Sequence, residues 1–167
     1  MSIINLHGRG GGVCMYQLQE MPGNPRADFE NPNYECMWLL LRPARLPRPL
    51  SGIAVCVVYN PPDRSIQEQR ELCEYVSNII DTINNKYPDC GIALMGDFNN
   101  LDISRLISNH RLKQVVSKPT RCGAIWDLII TNIHKCHEAP VITAPLGSSD
   151  HSTVIWSPYS TNSNRSN

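Results

Sequence analysis

Three places in the chain put acids or an imidazole where a strand pattern leaves little room for them. In residues 92–100, Ile92, Ala93, Leu94 and Met95 run into Gly96, Asp97, Phe98, Asn99 and Asn100. An apolar run that ends in glycine, an acid and amides is the pattern of a buried strand closing in a sharp turn. Open α/β folds place their sites at such strand mouths, although Asp and Asn also favour turns for reasons of their own. Asp127 is embedded in the apolar run 125–131, and Asp150-His151 sits in the turn 147–151 that opens a last strand, 152–156. A buried carboxylate is costly unless paired or hydrogen-bonded, so Asp127 requires a partner, and a histidine suits it. A carboxylate that fixes an imidazole sets its tautomer and raises its basicity, as in hydrolytic sites. The blander alternatives are an edge-strand charge for Asp127 and an ordinary polar turn for Asp150-His151.

The elements that must position these groups follow from pattern. Residues 1–10 are mixed and lack periodicity. Gly10-Gly11-Gly12 leads into a strand over 13–18; with no Lys-Ser/Thr and no helix after them, these glycines do not form a phosphate-binding loop. Residues 19–33 are polar and rich in Pro, Asn and Gly, hence a loop. Strands are expected over 34–41 and 53–59, joined as a hairpin by a Pro-rich tip carrying Arg42, Arg45 and Arg48. The second of these is apolar on both faces, as in a central strand. Ser65 with Glu68 is a capping box. Leu72, Val76, Ile79, Ile80 and Ile83 then recur at helical spacing, giving a helix over 66–86 closed by Asn84, Asn85 and Pro88. A short helix over 102–110, a loop at 118–121 and a strand over 140–143 complete the pattern, and the Ser/Asn/Thr-rich tail 157–167 is expected to be disordered.

Composition bounds the function classes. At 167 residues and 41% apolar, the chain is long enough for one domain, 1–156, with a real core. Lys+Arg and Asp+Glu are equal at 15 each, so no global charge argues for a nucleic-acid partner. Seven cysteines, an odd number with no CxxC pair and four of them in apolar runs, favour buried thiols in a reduced intracellular protein over a secreted disulfide scaffold. His134, Cys136 and His137 crowd together without finger-type spacing and read as a surface loop rather than a metal site. No run approaches the length of a membrane helix, and residues 1–10 lack a signal-peptide pattern.

Five short segments, in order, resemble one family. They are Tyr59-Asn60-Pro61-Pro62, Gly96-Asp97-Phe98-Asn99, Pro119-Thr120-Arg121, Trp126-Asp127-Leu128-Ile129 and Ser149-Asp150-His151. Their order is similar to that in the endonuclease/exonuclease/phosphatase (DNase I-like) superfamily. The Pro-Thr-Arg segment and the run ending in Thr131-Asn132 resemble the endonuclease domain of non-LTR retrotransposons in particular. The resemblance spans about residues 10–156. It implies a four-layer α/β/β/α sandwich of two packed mixed sheets. It also implies hydrolysis of DNA phosphodiesters with Mg²⁺ or Mn²⁺; neither a membrane nor a protein partner is expected. By analogy His151 contacts the scissile phosphate, oriented by Asp127. Asp97 positions or deprotonates water, Asn99 holds phosphate or that aspartate, and Tyr59 donates its hydroxyl to a phosphate oxygen. Asp150 lies beside the metal, and Asn60, Thr120, Arg121 and Ser149 line the substrate. Hard Mg²⁺ prefers carboxylate oxygens, which is consistent with this set.

The sequence departs from the family at its start. The family has an N-terminal strand with an Asn and a following strand whose Glu is the chief metal ligand. Here nine residues precede Gly10 and none is acidic; Glu20 and Glu35 lie downstream and are poor replacements. The expectation is a domain lacking its first strands in one sheet, with an exposed edge and impaired activity. The alternatives are a working phosphatase or nuclease of the same superfamily with another metal ligand, and a non-catalytic nucleic-acid-binding or interaction module on this scaffold. The Arg42/Arg45/Arg48 loop is the one basic cluster that such a module would use.

Overall fold

The computed structural model describes the backbone of residues 2–8 and 11–159 and the side chains of 12–159. Its frame is a six-stranded mixed sheet. The strands are β3 (Gly23–Pro25), β4 (Glu35–Leu41), β5 (Gly52–Tyr59), β6 (Cys90–Asp97), β7 (Lys113–Gln114) and β8 (Asp127–Thr131), in the order β3-β4-β5-β6-β8-β7. β4 and β5 form the expected antiparallel hairpin. β5 and β6 run parallel and are connected through helix α1 (Ile66–Lys86), while β6 and β8 are antiparallel. Parallel neighbours need a crossover, and the capping box supplies a firm start for it: Ser65 Oγ accepts from the Glu68 N–H while the Glu68 carboxylate accepts from the Ser65 N–H.

Strand alternation divides the sheet into two faces. On one face Trp38, Leu40, Cys56, Val58, Ile92 and Leu94 pack beneath Leu72, Val76, Ile80 and Ile83 of α1. Helix α2 (Ser104–His110) closes the same face through Leu106. On the other face Met37, Leu39, Val55, Ala93 and Ile129 are also buried. Two hairpins make up a second layer there: the first lies against β4 and β5, and the second meets the end of the sheet through the Ser152 N–H to Thr120 O bond. One joins β1 (Ser2–Gly8) to β2 (Gly11–Gln17), whose Val13 is buried; the other joins β9 (Val141–Pro145) to β10 (Ser152–Ile155). The fold is thus mixed α/β with two sheet layers. Among the described residues, both α-helices lie on the main sheet's outer face, and no α-helix covers the hairpin layer.

Several elements differ from expectation. Residues 2–8 lack periodicity but form β1, because backbone pairing with β2 needs no amphipathic pattern. The polar stretch 19–33 contains β3 and a 3₁₀ turn at Ala27–Phe29; a three-residue edge strand holding Pro25 leaves almost no sequence signal. Asp127 begins its strand rather than interrupting it. Residues 157–159, assigned to a disordered tail, are paired instead: the Glu138 N–H donates to Ser157 O, and the Tyr159 N–H to Cys136 O. The rest of that tail lies outside the described residues. All seven cysteines carry free thiols, with Cys36, Cys56 and Cys90 buried.

Candidate active site

One level of the main sheet collects the acids. Glu35 stands opposite Tyr59, Tyr59 opposite Asp97, and Asp97 opposite Asp127, in four adjacent strands. Directly paired residues project to the same face, so this row lies on the face that meets the hairpin layer. It sits at the C-terminal ends of the parallel pair β5 and β6, where a crevice is expected. Gly96, just before Asp97, adopts φ +133°; a Cβ there would stand 2.1 Å from Val58 O, so only glycine lets the two strands close at this level.

His151 enters from the start of β10. Its Nδ1 is 2.9 Å from Asp127 Oδ2, while Nε2 faces Asp97 at 3.9 Å and Asp150 at 4.0 Å. A carboxylate on Nδ1 selects the Nδ1–H tautomer of the neutral ring and leaves Nε2 for chemistry. Asp97 is itself held, its Oδ1 accepting the Asn99 N–H at 3.0 Å in a short turn. Burial pushes the Asp97 carboxyl above its usual range; the Asn99 N–H opposes this, the Asp127 charge adds to it, and His151 and Arg121 pull it down. The Tyr59 phenol is also raised, first by burial and then by Asp97, Glu35 and Asp63, so it stays a hydroxyl donor.

The remaining expected site residues take different places. Asn99 sits at φ 45°, and its Nδ2 donates to Asn60 O at 2.8 Å, tying the end of β6 to the end of β5. Asn60 and Thr120, expected to line substrate, are 0% and 1% exposed, which makes them positioning residues instead. Asn60 Nδ2 donates to Phe98 O. Thr120 Oγ1 accepts the N–H groups of Trp126 and Asp127, both at 3.1 Å, and Thr120 O accepts the Ser152 N–H at 2.7 Å. One buried residue thereby fixes the starts of β8 and β10 together, and with them Asp127 and His151. Ser149 Oγ accepts the His151 N–H at 3.1 Å. Arg121 Nε donates to Asp150 Oδ2 at 2.8 Å. Desolvation raises the Asp150 carboxyl, but the Arg121 hydrogen bond and charge, with help from its own backbone and His151, together outweigh it and hold that carboxyl below its usual range.

Two features escape sequence reasoning. Glu35, set aside as a replacement ligand, stands at the end of the acid row, with Oε2 buried and without a hydrogen-bond partner in the structure. Only the β4–β5 register reveals this. The Arg121–Asp150 pair joins residues 29 apart in sequence, and no local pattern announces it.

The donor set does not make a metal cage. Among the described residues no three His, Cys, Asp or Glu converge to hold a metal ion, and Asp150, the carboxylate expected beside the metal, is engaged by Arg121. His134, Cys136 and His137 likewise form no such group; His137 stacks on Trp156 with ring centroids 3.9 Å apart.

No family model matches the chain, and no curated protein matches it in sequence. In fold it is similar to the endonuclease domain of TRAS1, a telomere-specific non-LTR retrotransposon, at a TM-score of 0.66 and 12% identity, with 96% of this chain and 80% of that chain covered. The chain therefore has the two-layered mixed α/β fold that its motifs suggested, although among the described residues the second layer is two antiparallel hairpins with no helices outside it. No helix among the described residues is long and apolar enough to cross a membrane.

Proposed function

We propose that the chain is a phosphodiester hydrolase of the endonuclease type acting on DNA. The observation that carries this reading is the His151 ring: Nδ1 bonded to Asp127 at 2.9 Å and Nε2 turned toward Asp97, at the mouth of the parallel strands. Likeness in fold to a retrotransposon endonuclease domain supports it. In this reading Asp97 is the base. It takes a proton from water as the water oxygen bonds to phosphorus; the bond to the leaving sugar oxygen breaks with its electron pair staying on that oxygen, which takes a proton from solvent. A carboxyl raised by burial is better matched to that task than an ordinary one. With a proton on both ring nitrogens, His151 donates its Nε2–H to a non-bridging oxygen and offsets the charge that builds there, while Asp127 accepts from Nδ1–H and holds the ring in place. The Tyr59 hydroxyl donates to a second phosphate oxygen.

The Mg²⁺ or Mn²⁺ implied by the resemblance does not fit the arrangement of the described residues, since Asp150 is paired with Arg121 and no three donors among them converge. That misfit also favours slow turnover over efficient catalysis. The test is nicking of supercoiled plasmid by the whole chain, with and without Mg²⁺, compared with His151→Ala. Slow nicking that the substitution abolishes supports the reading. Nicking that persists unchanged in His151→Ala overturns it. A chain that binds DNA in either buffer but never nicks it is the non-catalytic module instead.

A further inference from the structure

We propose that Arg121 is the phosphate-binding cation of this site, and that Asp150 occupies it as a built-in competitor, so that a phosphodiester must displace Asp150 to bind. The proposal rests on the hydrolase reading for where substrate lies, but not for its test.

The site is crowded with like charge. Asp97 and Asp127 are side by side in the sheet, Asp150 lies 4.0 Å from His151 Nε2, and the charges of Glu35 and Asp63 reach Tyr59. A phosphodiester brings another negative charge into this field, so a permanent cation is required to receive it. Arg121 is placed for that role. Its charge acts on both the Asp97 carboxyl and the Tyr59 phenol, opposing in small part the burial that raises each. The Thr120 carbonyl clamps its loop to the start of β10, and the backbones of Arg121 and Ala124 bridge across a tight turn. The main-chain bonds hold the Arg121 backbone next to the start of β10, and Asp150, whose neighbour is His151, receives its guanidinium.

The pairing with Asp150 uses Nε at 2.8 Å. A guanidinium fork takes phosphate through two parallel N–H groups, with geometry that a carboxylate matches equally well. Asp150 thus fills the position a phosphate oxygen would take. The pair is accessible: the side chains are 36% and 64% exposed, so exchange needs no rearrangement of the core. Asp150 then does two things. It keeps the cation aimed at the pocket, and it sets a threshold that weak anions do not cross.

The test is binding of a fluorescein-labelled DNA duplex in EDTA at low salt, read by anisotropy, as a double-mutant cycle. Asp150→Asn frees the guanidinium and is expected to tighten binding about tenfold; Arg121→Ala is expected to weaken it about tenfold. The decisive arm is the double variant. If Asp150 acts through Arg121, the gain from Asp150→Asn vanishes in the Arg121→Ala background. An equal gain in both backgrounds means that Asp150 merely repels DNA, and overturns the proposal. Arg121→Lys keeps the charge but loses the fork, and is expected to fall between the parent and Arg121→Ala; wild-type binding by Arg121→Lys overturns the fork assignment. Thermal unfolding of each variant confirms that the fold is kept. If the cycle behaves as expected while no variant nicks DNA, the hydrolase reading fails and this proposal stands.

Discussion

Among the described residues two histidines are held by acid and hydroxyl or acid and acid, and the proposed function gives chemical work to one of them. His151 has Asp127 on Nδ1 at 2.9 Å and turns Nε2 to Asp97 at 3.9 Å, with its side chain 23% exposed. His110, at the end of α2, has Nε2 2.6 Å from Ser77 Oγ on α1 and Nδ1 3.6 Å from Asp81, and is 4% exposed. Ser77, His110 and Asp81 carry the residue types of a nucleophilic triad. The resemblance stops at composition. The Asp81 contact, at 3.6 Å, is too long to fix a tautomer, and the ring is buried between the two helices rather than open to solvent. Ser77 also lies within α1, where its backbone N–H is spent on the helix and supplies no oxyanion donor. His110 is a tie between two helices. What separates the imidazole proposed for catalysis from the structural one is which nitrogen is left over and whether solvent reaches it.

The contrast can be broken by substitution. The largest effect belongs to His151→Ala, which is expected to lower the plasmid-nicking rate by about 10²–10⁴-fold with the melting temperature nearly unchanged; an equal loss of stability would make His151 a second structural tie. His110→Ala is expected to do the reverse, costing about 1–3 kcal/mol in denaturant unfolding by leaving Ser77 unpaired and a void behind it. Its nicking rate per folded molecule should match the parent. Ser77→Ala removes one side of that bond and is expected to cost about 1 kcal/mol, again without effect on nicking.

The smallest effect concerns Asp97. Its folded-state carboxyl is raised above the ordinary 3.8, mainly by burial. Between the unfolded and folded values the native chain binds the extra proton, so stability falls as pH rises through that window. Asp97→Asn lacks the titration and can still accept the Asn99 N–H. Its melting temperature relative to the parent is expected to rise from acid to neutral pH and then level off. A difference that stays flat across the window would show that Asp97 is no more burdened than a surface acid.

Much of this was legible in the residues, for identifiable reasons. The unit from β5 through α1 to β6 is written in apolar runs and a capping box, all local signals. Asp97, Asp127 and His151 stand out because they break strand patterns. Register, by contrast, is not a local property. Nothing near Glu35 says that it faces Tyr59, and nothing near Thr120 says that its hydroxyl is buried under Trp126 and Asp127. β7, two polar residues long, exists because β8 offers it a backbone edge. The acids were readable as anomalies; the residues that hold them in place look ordinary until the strands are aligned.

Thr120 has a consequence for how this chain can change. Its hydroxyl and carbonyl couple the beginnings of two strands whose reactive members are 24 residues apart. The excursion through β9 that separates them is therefore spared the task of keeping them in contact. Insertions or deletions around residues 144–147 are expected to be tolerated by the Asp127–His151 geometry, whereas replacing one small buried threonine would loosen both halves at once. In a drifting lineage, length would vary freely in that hairpin while residue 120 stayed fixed.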